Sequence, residues 1–234
     1  MKILSIGNSF SQDSQRYLYG IAHAAGEDIY NVNLYIGGCS LERHCECIDT
    51  LEKSYTYFIR GADTGRKMNI RDALLKEDWD IITLQEASKR SVGYENFEPY
   101  LTRLIGYVKS LCPRAKIALH KTWGYKNGTE RIAALGYETH ADMYKDIEKA
   151  YAHAIEAHTP DIVLNVGETV ERLVREGYDM HRDDIHLSYT LGRYTAALIW
   201  FKTLLGKSVI GNKFRSFDLP FDEELVKLAQ NIVG

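Results

Sequence analysis

A serine stands where the first predicted strand of the chain ends. The apolar run at 3–6 stops at Gly7-Asn8-Ser9, and a polar, periodic segment at 11–25 follows. This pattern is typical of a buried strand that turns into a helix, which puts Ser9 at the carboxyl end of the strand. Reacting groups collect at such strand ends in open α/β sheets. Ser9 is therefore a candidate nucleophile, and the alternative is that the polar residues here only cap the first helix.

A histidine follows an aspartate by three residues in the segment Asp183-Asp184-Ile185-His186. A serine hydroxyl is a poor nucleophile until a base takes its proton, and His186 is the natural base. An aspartate that binds the far ring nitrogen fixes the tautomer and stabilises the imidazolium. Asp183 can reach this nitrogen locally, whereas we expect its rival Asp184 to be a solvated neighbour. A lone histidine is often structural, so a catalytic role for His186 is supported only if further candidate residues lie at strand ends on the same side of the sheet.

Polar or flexible residues also follow three further predicted strands. Gly37 and Gly38 come after the second strand, where the absence of Cβ atoms permits a tight turn or a close approach to a ligand. Gln85 comes directly after the third strand. His120 and Trp123 lie at the end of the fourth, where we expect them to contact the substrate as part of its wall.

The order of apolar segments predicts an α/β fold. Five apolar runs are predicted as strands, at 3–6, 29–36, 79–84, 116–120 and 161–166. Helical patterns at 11–25, 69–76, 97–111 and 139–158 separate them, and two further helices are predicted at 168–176 and 188–205. This alternation predicts a five-stranded parallel sheet in the order 2-1-3-4-5 between two layers of helices. A tyrosine-rich run with a Gly-Ala-Asp-Thr-Gly turn predicts a small β-hairpin or excursion at 53–68.

Composition limits the class of protein and its partners. The 234 residues are 45% hydrophobic and 26% charged, which fits a single domain over 1–234. A net charge of −3 and the lack of a long Lys/Arg run speak against a nucleic-acid partner. With no apolar run of about eighteen residues and no leader as the sequence stands, we expect a cytoplasmic protein without a membrane partner. Four cysteines are few for a disulfide scaffold and fit a reducing compartment.

Three of these stretches together resemble the SGNH hydrolases, a division of the GDSL esterase and lipase superfamily. Gly7-Asn8-Ser9 matches the family's opening Gly-Asp-Ser, and Gly38 matches its glycine after the second strand. Asp183 and His186 match its final Asp-x-x-His. The resemblance implies a flavodoxin-like three-layer fold with Ser9 as the nucleophile and Asp183 and His186 as its triad partners. It also implies that the backbone N–H groups of Ser9 and Gly38 face the oxyanion.

The chain departs from the family at its third block. The family has Gly-x-Asn-Asp after the third strand, and its asparagine donates to the oxyanion, whereas this chain has Leu84-Gln85-Glu86. A glutamine also offers an amide donor, one methylene further out. The sialate O-acetylesterase-like branch is similar, with Gln-Gly-Glu at this place. We therefore expect Gln85 to be the third oxyanion donor.

The resemblance and the residues together predict a serine esterase. We expect it to remove an acetyl or other short acyl group from a carbohydrate or small molecule, without a cofactor. The alternative is a non-catalytic carbohydrate or small-molecule binding module on the same fold, which the substituted third block permits. A metal site is a further alternative, because Cys39, His44, Cys45 and Cys47 lie within nine residues. Their spacing is not a paired Cys-x-x-Cys pattern, so we expect no metal.

Overall fold

The structure is a computed structural model that describes all 234 residues. Its seven strands are β1 (Lys2–Gly7), β2 (Tyr30–Tyr35), β3 (Tyr55–Ile59), β4 (Ala62–Met68), β5 (Ile81–Leu84), β6 (Lys116–His120) and β7 (Ile162–Leu164). Its ten α-helices are α1 (Ser9–Gln15), α2 (Leu18–Ala24), α3 (Leu41–Thr50), α4 (Ile70–Leu74), α5 (Tyr100–Leu111), α6 (Glu130–Ala134), α7 (His140–His158), α8 (Val166–Arg175), α9 (Leu191–Leu205) and α10 (Glu223–Val233). A short 3₁₀ helix spans Tyr94–Asn96.

All seven strands form one mixed sheet in the order β4-β3-β2-β1-β5-β6-β7. The five strands β2, β1, β5, β6 and β7 are neighbours in this order and pair parallel, so their carboxyl ends meet at one edge of the sheet. β3 and β4 are antiparallel and extend the sheet beyond β2. The carboxyl edge of the parallel strands is therefore where the strand-end residues converge.

The predicted sheet of five parallel strands was wrong, because the observed sheet has seven strands and is mixed. The hairpin predicted at 53–68 is confirmed as β3 and β4, but it adds both strands to the main sheet. Its turn consists of Arg60 and Gly61, which both have positive φ angles. Such a two-residue turn reverses the chain at once, so β3 and β4 can only pair antiparallel.

The central strands are buried on both faces. All four residues of β5 are buried, as are Ile3, Leu4 and Ile6 of β1. The long helix α9 has 11 buried residues out of 15, and it packs against α1, α2, α8 and α10. Burial on both faces explains why these strands are continuous apolar runs in the sequence.

Several helices differ from their predicted bounds. The helix predicted at 11–25 is two helices, α1 and α2, interrupted at Arg16 and Tyr17. These two side chains bond to distant parts of the chain, Arg16 to the carbonyl oxygen of Gly61 and Tyr17 to that of Tyr189. The last predicted helix begins at Leu191, and α6 and α10 were not predicted. No helix combines the length and the apolar character that crossing a membrane would require.

Candidate active site

The turn after β1 presents Ser9 as the first residue of α1. Asn8 has extended backbone angles and caps the helix, since its Oδ1 accepts from the Phe10 N–H at 3.0 Å. A Cβ at Gly7 would lie 2.4 Å from Ser11 Oγ, so any larger residue here would displace the Ser11 side chain. The capping that the sequence suggested for this segment is thus performed by Asn8. The Ser9 hydroxyl is left for another role.

The structure brings Ser9, His186 and Asp183 into one row. Ser9 Oγ and His186 Nε2 are 2.9 Å apart, although 177 residues separate them in the chain. His186 Nδ1 lies 2.9 Å from Asp183 Oδ2 and 3.1 Å from Oδ1. This is the arrangement in which a base contacts a nucleophile and a carboxylate orients the base.

The Asp183 carboxylate is held by the short loop that it begins. Its Oδ1 accepts from the backbone N–H of Ile185 at 2.9 Å and of His186 at 2.8 Å. Partial burial acts to raise the pKa of Asp183, but these two N–H donors and the His186 ring outweigh it and lower the pKa to about 2. Asp183 is therefore ionised near neutral pH and can accept the hydrogen bond that orients the His186 ring.

Asp184, the rival to Asp183, does not contact His186. Its carboxylate is 44% exposed and lies 3.7 Å from Nε of Arg131. The spacing of three residues lets Asp183 fold back onto the histidine, whereas the next residue points out of that turn.

Asp13 of α1 fixes the loop that carries His186. Its side chain is buried and accepts from the Leu187 N–H at 3.0 Å. The guanidinium groups of Arg182 and Arg193 also bind it, at 2.9 and 2.8 Å. Since Asp13 is one helical turn beyond Ser9, these bonds tie the histidine loop to the serine helix. Asp13 was not predicted as a site residue, although an acid on an otherwise buried helix face was an available signal.

The backbone N–H groups of Ser9 and Gly38 have no hydrogen-bond partner within the chain. Gly38 has φ +62°, and a Cβ there would meet nothing within 4 Å, so the residue borders open space. Asn8 Nδ2 donates to the Cys39 carbonyl at 3.0 Å and thereby joins the glycine loop to the serine turn. Free N–H groups in this position can stabilise a negatively charged oxygen.

The Gln85 amide lies beneath the cleft and does not line it. Its Nε2 donates to Asn8 Oδ1 at 2.7 Å, and its Oε1 lies 2.8 Å from His120 Nδ1. Asn8 Oδ1 already accepts from the Phe10 N–H, which fixes Gln85 Nε2 as the donor and His120 Nδ1 as a donor to Gln85. Gln85, the expected third oxyanion donor, thus holds Asn8 in place in this structure. Its amide is buried and bonded to residues at both neighbouring strand ends.

His120 and Trp123, which the sequence predicts as substrate contacts, also lie in the core. Both side chains are fully buried, and burial lowers the pKa of His120 to about 3, so this histidine is neutral. Trp123 stacks flat on Phe10 with the ring centroids 3.9 Å apart, and its Nε1 donates to the Ile185 carbonyl at 2.9 Å. Trp123 therefore supports the residue after Ser9 and the residue before His186.

A cleft of about 280 Å³ opens above this support. Its lining consists of Asn8, Ser9, Phe10, Tyr35, Gly37, Gly38, Ser88, Arg131, Ile185 and His186. Tyr35, Ser88 and Arg131 were not predicted as site residues. Ser88 follows β5 closely and Tyr35 ends β2, so strand-end position was a signal for both. Arg131 lies on a short connecting helix for which the sequence offers no such signal.

The cysteines and the histidine that follow Gly38 do not converge on one point. Cys39 Sγ lies 3.5 Å from His44 Nδ1, which is itself 2.8 Å from the Tyr55 hydroxyl. The Cys45 thiol points to the Tyr100 carbonyl instead. No three His, Cys, Asp or Glu side chains in the chain converge in a way that could hold a metal ion.

Glu86 connects the end of β5 to the start of α3. Its Oε1 accepts from the Leu41 N–H at 3.1 Å and the Ala87 N–H at 2.5 Å, and the side chain is fully buried. Burial raises the pKa of Glu86 to about 7, although these donors and Arg90 act in the opposite direction. Its second oxygen has no hydrogen-bond partner. Glu86 thus fixes the segment after the Gly38 loop.

The fold is shared with several solved structures. A DUF4886 family protein from Bacteroides uniformis ATCC 8492 is 33% identical, with 100% of this chain and 93% of that chain covered and a TM-score of 0.91. A protein from Slackia heliotrinireducens proposed to be an SGNH hydrolase is 21% identical, with 87% and 98% covered and a TM-score of 0.62. The family 3 carbohydrate esterase of Clostridium thermocellum is 15% identical, with 88% and 96% covered and a TM-score of 0.54.

These likenesses show the α/β fold of the SGNH hydrolases. No curated protein matches the chain. A family model does match, over residues 2–231, and its description is a domain of unknown function, DUF4886. The match spans almost the whole chain, and the protein therefore belongs to the DUF4886 family.

Proposed function

We propose that this protein is a serine esterase that removes an acetyl or other short acyl group from a carbohydrate or small molecule. The observation that carries the proposal is the row Ser9–His186–Asp183, with 2.9 Å between Ser9 Oγ and His186 Nε2 at the wall of an open cleft. A serine kept only for helix capping would not need a histidine at this distance, and the cap is already made by Asn8.

In the proposed reaction, Ser9 Oγ attacks the ester carbonyl carbon while His186 Nε2 takes the hydroxyl proton. The imidazolium then gives this proton to the alcohol oxygen as the carbon–oxygen bond breaks, which leaves an acyl group on Ser9. A water molecule attacks this acyl-enzyme while His186 takes its proton, and His186 returns that proton to Ser9 Oγ as the carboxylic acid leaves. Asp183 keeps the ring oriented and stabilises its charge throughout.

The unpartnered N–H groups of Ser9 and Gly38 support an oxyanion hole. Both residues line the cleft, so the two donors can converge on a carbonyl oxygen placed beside Ser9 Oγ. We assign Gln85 a positioning role, because its amide holds Asn8, and Asn8 holds both the serine turn and the glycine loop.

The size of the cleft supports a short acyl group. Its volume of about 280 Å³ lies just below the usual range for small-molecule sites. A carbohydrate as the alcohol is supported by the shared fold with the Clostridium thermocellum carbohydrate esterase.

Hydrolysis of short p-nitrophenyl esters and acetylated sugars by wild type and Ser9→Ala tests the proposal. Wild type should hydrolyse at least one of them, and Ser9→Ala should lose that activity. Ser110→Ala, which removes an exposed hydroxyl from α5, is the matched control and should match wild type.

Labelling provides a readout that does not depend on the choice of ester. A fluorophosphonate should modify Ser9 alone, as located by peptide mass spectrometry. A wild-type protein that hydrolyses none of the esters and stays unlabelled at Ser9 would overturn the proposal in favour of a binding module.

A further inference from the structure

The cleft contains one permanently charged cation, Arg131. This residue lies on α6, and its side chain lines the cleft together with Ser9 and His186. No aspartate or glutamate is among the lining residues. Because a guanidinium stays protonated at any working pH, the cleft presents a fixed positive charge to whatever binds beside the serine.

The Arg131 guanidinium has donors to spare. Its contact within the chain is with Asp184, where Nε and Oδ2 are 3.7 Å apart, too far for a hydrogen bond. Arg182 and Arg193 differ, since both are largely buried and bind the Asp13 carboxylate at 2.9 and 2.8 Å. Those two arginines hold the fold together, whereas Arg131 is 62% exposed and free to bind a ligand.

Hydroxyl groups line the same cleft. Ser88 Oγ is 2.8 Å from the Tyr125 hydroxyl, which orients it. The Tyr35 hydroxyl lies against the glycine loop, since it is 3.3 Å from where a Cβ of Gly37 would be. A guanidinium with neighbouring hydroxyl donors is a chemistry that recognises an oxyanion such as a carboxylate.

We propose that Arg131 is a specificity residue that selects ester substrates carrying a carboxylate group. The inference rests on the proposed esterase function and names its substrate class. The planar fork of terminal N–H groups binds the two carboxylate oxygens and holds the ester beside Ser9. The carboxylate can belong to the alcohol part or to the acyl part of the ester, and the chemistry of recognition is the same.

Two pairs of esters test the proposal and distinguish these sources. Para-acetoxybenzoate and its methyl ester differ by a charge on the alcohol side, and monophenyl adipate and its methyl ester differ on the acyl side. In at least one pair, wild type should have the higher kcat/KM for the anionic ester. Arg131→Gln should lower this anionic-to-neutral ratio by roughly ten-fold, on the scale of a hydrogen bond to a charged group. Arg131→Lys keeps the charge without the planar fork, so its anionic-to-neutral ratio should lie between those of wild type and Arg131→Gln.

Arg114→Gln is the matched control for net charge. Arg114 is 83% exposed, pairs with Asp78 and lies beside the amino end of β6, away from the cleft. Arg114→Gln loses the same unit of charge as Arg131→Gln but outside the cleft, so its anionic-to-neutral ratio should stay at the wild-type value. A ratio that falls equally in Arg114→Gln and Arg131→Gln would reveal general attraction and overturn the proposal.

Binding to Ser9→Ala separates the selectivity from the catalysis. This variant lacks the nucleophile, so calorimetry reads the affinity for the intact esters. The anionic member of the pair should bind more tightly, and adding Arg131→Gln should remove the preference. A binding preference of this kind without turnover by wild type would overturn the esterase proposal alone. Turnover of both esters with no Arg131-dependent ratio or affinity would overturn the Arg131 proposal alone.

Discussion

At the scale of single residues, each group in the row Ser9–His186–Asp183 has its hydrogen bonds arranged for one role. The Asp183 carboxylate accepts two backbone N–H bonds and the His186 ring, and its pKa is lowered to about 2. A carboxylate of such low basicity does not take the proton from the imidazolium. The proton removed from Ser9 therefore stays on His186, where the leaving alcohol can receive it.

Single and double substitutions test whether these residues act as a unit. Ser9→Ala and His186→Ala should each lower kcat by roughly a thousandfold or more, and the double variant should be little worse, because either change alone removes the activated nucleophile. Steady-state kinetics on one short ester measures all three. Losses that multiply in the double variant would contradict a shared mechanism.

The pH dependence of the reaction follows from the same row. Only a neutral imidazole can take the serine proton, so kcat/KM should rise with pH along a single proton ionisation and then level off. Since the pKa of Asp183 is about 2, its titration should add no second step to the profile. A pH–rate profile in constant ionic strength measures this. An acid limb that corresponds to two protons would show that a further carboxylate must ionise for activity.

At the scale of elements, the site depends on three adjacent strand ends. Gln85 follows β5, and its amide bonds to Asn8 after β1 and to His120 at the end of β6. The neutral His120 also accepts from Ser14 of α1, with 3.3 Å between Oγ and Nε2. This buried chain of hydrogen bonds sets the position of the serine turn relative to the sheet.

Substitution of Gln85 tests its positioning role. Gln85→Ala leaves the buried N–H of His120 without an acceptor, so the free energy of unfolding should fall by about 1–3 kcal/mol and kcat should fall with it. In Gln85→Glu an ionised carboxylate cannot donate to Asn8 Oδ1, so this variant should be at least as impaired. Urea denaturation and kinetics give the two quantities. A variant with lower kcat and unchanged stability would indicate instead that Gln85 donates directly to the oxyanion.

At the scale of the whole molecule, the buried Glu86 links folding to pH. Its pKa is about 7 in the folded chain, whereas in the unfolded chain it ionises near the ordinary value of 4.5. Between these two values the folded state binds more protons. The free energy of unfolding therefore decreases as the pH rises through this window, and the loss is complete above it.

Replacement of Glu86 should reduce this pH dependence. In Glu86→Gln the new side chain cannot ionise, and its oxygen can still accept from the Leu41 N–H. The free energy of unfolding of this variant relative to wild type should therefore rise by about 1–3 kcal/mol from acidic to mildly alkaline pH. Urea denaturation at the two ends of the window measures the change. Glu156→Gln on the exposed face of α7 is the control. A difference between wild type and Glu86→Gln that is the same at both pH values would refute the linkage.

Local pattern was enough to locate the strand ends and the residues on them. Continuous apolar runs predict buried strands, and a glycine followed by polar residues marks where each run ends. The placement of Ser9 after β1 and of Gly38 after β2 follows from such local features. The bond between Asp183 and His186 was also foreseeable, because it spans only three residues.

The position of Gln85, His120 and Trp123 was decided only by the tertiary structure. Each lies at or just after the end of a strand, as a cleft residue would, but buried partners on neighbouring strand ends, on α1 and in the histidine loop turn these side chains inward. The contribution of Arg131 likewise depends on where a short connecting helix packs. The sequence by itself determined which groups reach the carboxyl edge of the sheet, since strand and turn signals are local. Which of those groups face the cleft depends on hydrogen bonds between residues far apart in the chain, and only the packed structure decides them.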